Sequence, residues 1–133
     1  RELQSLNLRI SKCGGLLASR RIRDIGARAG IGCILGCQVG ETALLSAAGR
    51  HFASRTAGVL HHEGSFGARL LEEDLCSDDL AFGANGEAPA LGGIGLGVDV
   101  VPSRLQRFTV HGEERPLRTT TAGHESCRQE TDT

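Results

Sequence analysis

The chain reads as an α/β fold built from parallel strand–helix repeats, and three observations carry that reading. Short apolar segments alternate with helix-period segments in the order strand, helix, strand, helix, strand over residues 6–63. The middle strand segment, Ile31-Gly32-Cys33-Ile34-Leu35, is almost continuously apolar, as in strands covered on both faces. Each strand segment runs out into a glycine-bearing loop only a few residues long. Such repeats build either an open doubly wound sheet or a closed (β/α) barrel, and in both function gathers at the C-terminal ends of the strands.

The first strand is expected over Leu6 to Ile10, ending in Ser11-Lys12-Cys13-Gly14-Gly15. Leu16 to Ala29 follows with one apolar stripe and an arginine-rich outer face, the pattern of an amphipathic helix. Gly30 stops it. After the strand Ile31–Leu35 comes the loop Gly36-Cys37-Gln38-Val39-Gly40-Glu41, and Thr42 is placed to cap a helix running from Ala43 to Ala53. Gly58 ends that unit, and Val59-Leu60-His61-His62-Glu63 is the third strand, with Gly64-Ser65-Phe66-Gly67 beyond it. From Ala68 the periodicity fades. Leu70 to Leu75 reads as one helical turn or an extended arm, Asp78 to Gly97 as loop, and Ser103 to Phe108 as a last short helix capped by Ser103. Gly92-Gly93-Ile94-Gly95-Leu96-Gly97 is followed by the strand-like run Val98–Pro102, not by a helix, so it is not a dinucleotide loop. The end, Gly112 to Thr133, is polar and is expected to be disordered.

Composition narrows the function classes. The length, 133 residues, suits one modest domain. The chain begins at Arg1 and contains no Met, so it is expected to be an internal or C-terminal piece of a longer protein. Residues 1–57 carry nine Lys/Arg against three Asp/Glu, net +6, and residues 58–133 carry six against thirteen, net −7. With four Phe as its only aromatics and no clustered basic stripe, the chain does not read as a nucleic-acid binder. No membrane-length apolar run or signal-peptide pattern is present, so a cytoplasmic location is the expectation and a membrane partner is not. The five Cys are odd in number and irregularly spaced, without a CxxC pair, which fits small reduced thiols and neither a disulfide framework nor a zinc knuckle.

One residue stands out by rarity. Of 15 Lys+Arg, 14 are Arg, and the single lysine is Lys12, at the mouth of the first strand. Arg is always protonated whereas Lys loses its proton when desolvated, so a lone Lys at the end of a βα unit is a candidate general base. A lysine at a strand end is also, in most proteins, simply solvated.

Arg9-Ile10-Ser11-Lys12-Cys13-Gly14-Gly15 followed by a helix, then Leu35-Gly36-Cys37-Gln38-Val39-Gly40-Glu41-Thr42, resembles the C-terminal part of the enolase superfamily. The closer likeness is to its muconate-lactonizing subgroup of cycloisomerases, o-succinylbenzoate synthases and dipeptide epimerases. In that subgroup the sixth barrel strand ends in a Lys followed shortly by Gly-Gly, and the Lys is an acid/base facing the substrate α-carbon. The resemblance covers about residues 6 to 108. It implies the C-terminal portion of a truncated (β/α) barrel, about three βα units. Residues 1–67 would hold strands 6 to 8 with their helices, residues 68–111 an arm returning toward a capping domain, and residues 112–133 the polar tail. It also implies Lys12 as the acid/base, Gln38 and Glu41 as substrate contacts, a small carboxylate substrate and a divalent cation, magnesium by expectation. The longer protein would be a homo-oligomer. Two features depart from the pattern. Gly40 intervenes before Glu41, and the strand-end acids that hold the family's metal, with a second catalytic Lys, are not in this chain.

The chemistry has a plain physical requirement. Removing a proton next to a carboxylate creates an enediolate whose charge a divalent cation stabilises, while positive charge and burial favour the neutral lysine that acts as base. The groups supplying both lie outside this chain, so the 133 residues alone are expected to show no turnover. The other reading of the chain is a non-catalytic truncated remnant. A nucleotide-binding domain fits less well, because neither strand-end loop offers a glycine-rich phosphate cradle at a helix start. Glu41 reads equally as an acidic residue at a helix N-terminus, favoured by the helix dipole. Adjacent strand residues point to opposite faces, so His61, His62 and Glu63 do not form one ligand set and are read as structural. Glu72-Glu73-Asp74 and Asp78-Asp79 are read as solvated faces, and His51 as packing or surface. A barrel segment cut this way presents an open strand edge and an uncovered inner face. The chain alone is therefore expected to associate with rising concentration in sedimentation velocity; a monomeric species with one sharp unfolding transition would contradict this.

Overall fold

The computed structural model describes residues 4–110. Its element order is β1 Ser5–Leu8, α1 Ile10–Cys13, α2 Leu16–Arg28, β2 Gly32–Leu35, α3 Ala43–Arg55, β3 Val59–His62, α4 Gly67–Leu70, a 3₁₀ turn Ala84–Gly86, and α5 Pro102–Phe108. The three strands form one parallel sheet in the order β1-β2-β3. Each strand therefore lies beside its neighbour in sequence, with no reversal of order.

The sheet is covered on one side. Leu8, Cys33 and Leu35 are buried with Ala48 and Phe52 of α3, and Ile22 of α2 packs on the same cluster. Leu8 pairs with Leu35, and Leu35 with His62, so these residues share the helix-covered face. Asn7 pairs with Ile34 and Ile34 with His61. That row points the other way, where Asn7 and His61 are exposed and Leu60 lies over Gly32 with its side chain largely open. Sequential strand order with both helices on one face is the wall of a (β/α) barrel seen in part. It excludes the doubly wound alternative, in which helices cover both faces.

The first strand is shorter than expected. It ends at Leu8 and not at Ile10, because the chain turns at once into α1: the backbone N–H groups of Lys12 and Cys13 both donate to the Arg9 carbonyl at 2.9 Å. Lys12 thus sits on a single helical turn after the strand. Gly14 (φ 88°, ψ 29°) stops that turn, and Gly15 (φ 98°, ψ −176°) launches α2. The first conformation is costly for most L-residues and the second is essentially confined to glycine, so the Gly-Gly pair is a backbone requirement of this turn. α2 ends as anticipated at Gly30, where Ile31 N–H donates to Gly26 O and Gly30 N–H to Ala27 O, a Schellman closure.

Beyond β3 the chain forms an arm held by polar contacts as much as by packing. Thr42 takes the cap position of α3 but its side chain makes no capping bond. Asp74, from the arm, does so instead: its Oδ2 accepts the Ala43 N–H at 2.8 Å while Oδ1 accepts the Cys76 N–H at 2.9 Å. Glu73 pairs with Arg104 at 2.9 Å and also with Arg107, tying the acidic run to α5. The reading of Glu72-Glu73-Asp74 as a solvated face is corrected for the last two residues; only Glu72 is exposed. α5 starts with Pro102 in its first turn, and Ser103 does not cap it. The strand-like run at Val98–Pro102 is reduced to one antiparallel bridge between Cys76 and Val100. The expected disordered tail lies outside the described residues. Among these, no helix is long and apolar enough to cross a membrane.

Asp74→Ala removes the acceptor for two backbone donors. It is expected to destabilise the fold by about 1–2 kcal/mol, as loss of a helix cap does, whereas Glu72→Ala is expected to be near neutral. Denaturation midpoints of the two variants against the parent check this.

Candidate functional site

The site is built at the C-terminal ends of the three strands. The helix-covered residues Leu8 and Ile10 are 3% and 7% exposed, so the residue between them, Arg9, points to the opposite, inner face. Its backbone is extended (φ −121°, ψ 114°), which keeps the strand alternation running one residue past β1. Asn7, Arg9, Lys12 and Cys13 line an open recess of about 320 Å³. Gly36, at the end of β2, leaves room for the Asn7 carboxamide, which a β-carbon there would displace. Lys12 is exposed and Arg9 half-buried.

The β2 and β3 ends supply a second recess, lined among others by Cys37, Glu41, His62, Glu63 and Ser65. The Glu41 carboxylate turns back on its own loop, where Oε1 accepts the Gln38 N–H at 2.6 Å. Burial pushes the Cys37 thiol above its ordinary range; the Glu41 and Glu63 carboxylates push the same way, and the Arg9 cation opposes them. One thiol thus feels charges from all three strand ends, cation on the β1 side and carboxylates on the β2 and β3 sides. Of the residues singled out from the sequence, Lys12 lies in the first recess and Glu41 in the second, while Gln38 is the backbone partner of Glu41. Arg9 had no assigned role, although the polar–apolar alternation Asn7-Leu8-Arg9-Ile10 is visible in the sequence.

Below the rim, His61 and His62 point to opposite faces as expected. His62 lies under α3, its ring against Gly49 and edge-on to Phe82 at 5.3 Å. Arg50 of α3, 5% exposed, donates from Nη2 to the Leu80 carbonyl at 2.7 Å and lies 5.9 Å from the Phe82 ring centre. This buried cation bolts residues 80–82 of the arm to α3. No sequence signal marked it, since Arg50 falls in an ordinary helical stretch. His51 packs as expected, its Nε2 3.0 Å from the Leu96 carbonyl. The described cysteines, Cys13, Cys33, Cys37 and Cys76, are free. Among the described residues no three His, Cys, Asp or Glu side chains are grouped to hold a metal ion.

A wall of parallel βα units whose first strand end carries Arg9 and Lys12, with no carboxylate partner among the described residues, is the class of structure this geometry defines. The family follows from comparison: residues 1–104 match the Enolase C-terminal domain-like family, and the chain belongs to it. It is 33% identical over 102 residues to muconate cycloisomerase 1 of Rhodococcus opacus, covering 77% of this chain and 27% of that protein. It is 31% identical over 91 residues to the hydrophobic dipeptide epimerase of Enterococcus faecalis, covering 68% of this chain and 22% of that protein. Among solved structures it is similar to an N-succinyl Arg/Lys racemase from Bacillus cereus, with a TM-score of 0.64 and 26% identity, covering 81% of this chain and 28% of that one. The chain therefore spans about a quarter of the length of the curated relatives it matches. Its relatives are racemases, epimerases and cycloisomerases.

The pH dependence of stability follows from His62. Burial, and after it the Arg50 charge, hold its imidazole below the ordinary 6.5. Unfolded chains take up this proton before the folded chain does, so stability is full above the unfolded value and is lost as pH falls from about 6.5 toward the depressed folded value. His62→Gln is expected to remove this component. Denaturation midpoints at several pH values, parent against variant, check it; parallel pH profiles would contradict the assignment.

Proposed function

We propose that this chain is the strand-end segment of an enzyme that moves a proton at the carbon next to a carboxylate, in a racemase, epimerase or cycloisomerase reaction, with Lys12 as acid/base. The observation that supports this most is the placement of the sole lysine: α1 and the Gly14-Gly15 turn hold Lys12 at the C-terminal end of β1, in an open recess. Family membership and the cycloisomerase and epimerase relatives support the same class of chemistry.

In this reading the Lys12 Nζ lone pair takes the α-proton, and the C–H electron pair moves into the carboxylate to form an enediolate. Returning a proton to carbon completes the reaction, with inversion when it arrives on the opposite face. Arg9 and Asn7 sit in the same recess and orient the carboxylate end of the substrate. Gln38 and Glu41, on the neighbouring loop, are proposed as contacts to its remainder. A divalent cation, magnesium by expectation, supplies charge stabilisation to the enediolate when bound. The described residues do not by themselves fit such an ion; its ligands are assigned to other parts of the enzyme, and none of the steps above runs through it. The proposed substrate is a small carboxylate, not a nucleic acid or a membrane.

In the full-length protein containing this chain, Lys12→Ala is expected to lower kcat by on the order of 10²–10⁴. Exchange of the substrate α-hydrogen with solvent deuterium is expected to be lost on the face this residue serves. Proton NMR in heavy water checks it; exchange persisting at the parental rate in the variant would remove Lys12 from the mechanism.

A further inference from the structure

Asp78 and Asp79 are exposed, but they do not stand alone on an open surface. With Glu41 and Asp74 they line a recess of about 180 Å³ between the start of α3, the loop after β3 and the arm. Ser46 of α3 and Ser65 of that loop line it too, and it shares no residue with the recess that holds Lys12. We propose that this recess is a binding site for a small primary amine, held as its ammonium ion among the carboxylates and hydroxyls, with a short apolar stem against the Leu80 and Ala81 wall. Of its residues only Glu41 enters the proton-transfer reading above, so the site stands or falls separately from that reading.

Four observations carry the assignment. The first is sign. Four carboxylates line the recess, and no Lys, Arg or His does. The neighbouring arginines are committed elsewhere: Arg104 pairs with Glu73 and donates to the Asp74 and Cys76 carbonyls, and Arg50 donates to the Leu80 carbonyl. Cys76, 2% exposed at the recess wall, registers the field. Burial pushes its thiol above the ordinary range, and the Asp74, Asp78 and Asp99 carboxylates push the same way against Arg104. The second is the helix start. The N-terminus of α3 would draw an anion, but Asp74 already occupies it through the Ala43 N–H. The third is fixed geometry. The backbone N–H groups of Gln38, Asp99 and Ala81 each hold one oxygen of Glu41, Asp78 and Asp79 in turn. Among the described residues no cation pairs with these three acids, so their second oxygens stay open. The fourth is Ser46. Its side chain lines the recess at 8% exposure, and its hydroxyl has no hydrogen-bond partner among the described residues. A buried hydroxyl left so is costly, and an ammonium brings three donors to satisfy it. Size and lining then choose the class of cation. Among the described residues no three of the acids gather to hold a metal ion, and part of the wall is apolar. The volume equals the liquid share of about six waters, which is room for an amine of butyl size.

The test uses the full-length protein containing this chain, with n-butylammonium chloride as probe and amide NMR as readout. Saturable shifts are expected at Ser46, Cys76 and Asp79, with ammonium chloride binding more weakly and sodium butyrate leaving these amides unmoved. The double variant Asp78→Asn, Asp79→Asn keeps the oxygens that accept the Asp99 and Ala81 N–H groups and removes two charges. It is expected to weaken n-butylammonium binding by about tenfold or more, and Ser46→Ala by about threefold or more. Lys12→Gln is expected to bind the probe as the parent does. Amide spectra like the parent's in each variant exclude misfolding as the cause. The site is overturned by any of four results: no saturable shift in the parent, butyrate or ammonium chloride binding as tightly as the probe, undiminished affinity in the double variant, or displacement of the probe by magnesium chloride. Loss of binding in Lys12→Gln places the amine in the other recess and overturns it as well.

Discussion

The packing of Leu8, Cys33 and Leu35 beneath Ala48 and Phe52 is the contact on which the rest of the molecule depends. Each buried leucine or phenylalanine side chain here is worth about 1.5–3 kcal/mol, and together these residues decide which face of the sheet the helices cover. Strand alternation then leaves no freedom. Once Leu8 and Leu35 face the helices, Asn7, Arg9, Ile34 and His61 face the other way. The site is a consequence of the core, because the residues at the strand ends inherit their direction from apolar neighbours one position away.

A second layer of polar contacts holds the arm after β3 against this core. Asp74 caps α3 from 31 residues away, Arg50 reaches from α3 to the Leu80 carbonyl, and Glu73 engages Arg104 and Arg107 of α5. These contacts join the arm to the helix that begins directly after Glu41. The Glu41 loop is therefore tied at both ends, by its own bond to Gln38 and by the cap on Ala43. A buried, hydrogen-bonded cation is weak evidence for added stability, but removing its partner is costly, so Arg50 makes the path of residues 80–82 specific.

The strand ends are divided by charge. Arg9 and Lys12 stand at β1, Glu41 and Glu63 at β2 and β3, and Cys37 between them registers both signs. Proton abstraction next to a carboxylate needs a base and a fixed positive field on the developing charge. In the proton-transfer chemistry proposed above, the lysine of the β1 end is the group suited to act as base, since an arginine keeps its proton.

The sequence by itself determined the repeat of strand and helix, because a period near 3.6 and apolar runs bounded by glycine are local properties. It also determined the Gly14-Gly15 turn after the lone lysine and the family likeness, since both reside in contiguous residues. The strand alternation that marks Arg9 was legible in Asn7-Leu8-Arg9-Ile10, but its meaning was not, because alternation shows that two faces differ and not which one the helices take. Only the tertiary structure decided that β1 stops at Leu8 so that Lys12 rides a helical turn. It alone showed that Asp74 and not Thr42 caps α3, and that Glu73 is an ion-pair partner and not a solvated acid. The last two outcomes depend on groups some 30 residues apart coming within 3 Å of one another, and no local pattern of apolar and polar residues encodes a distance of that kind.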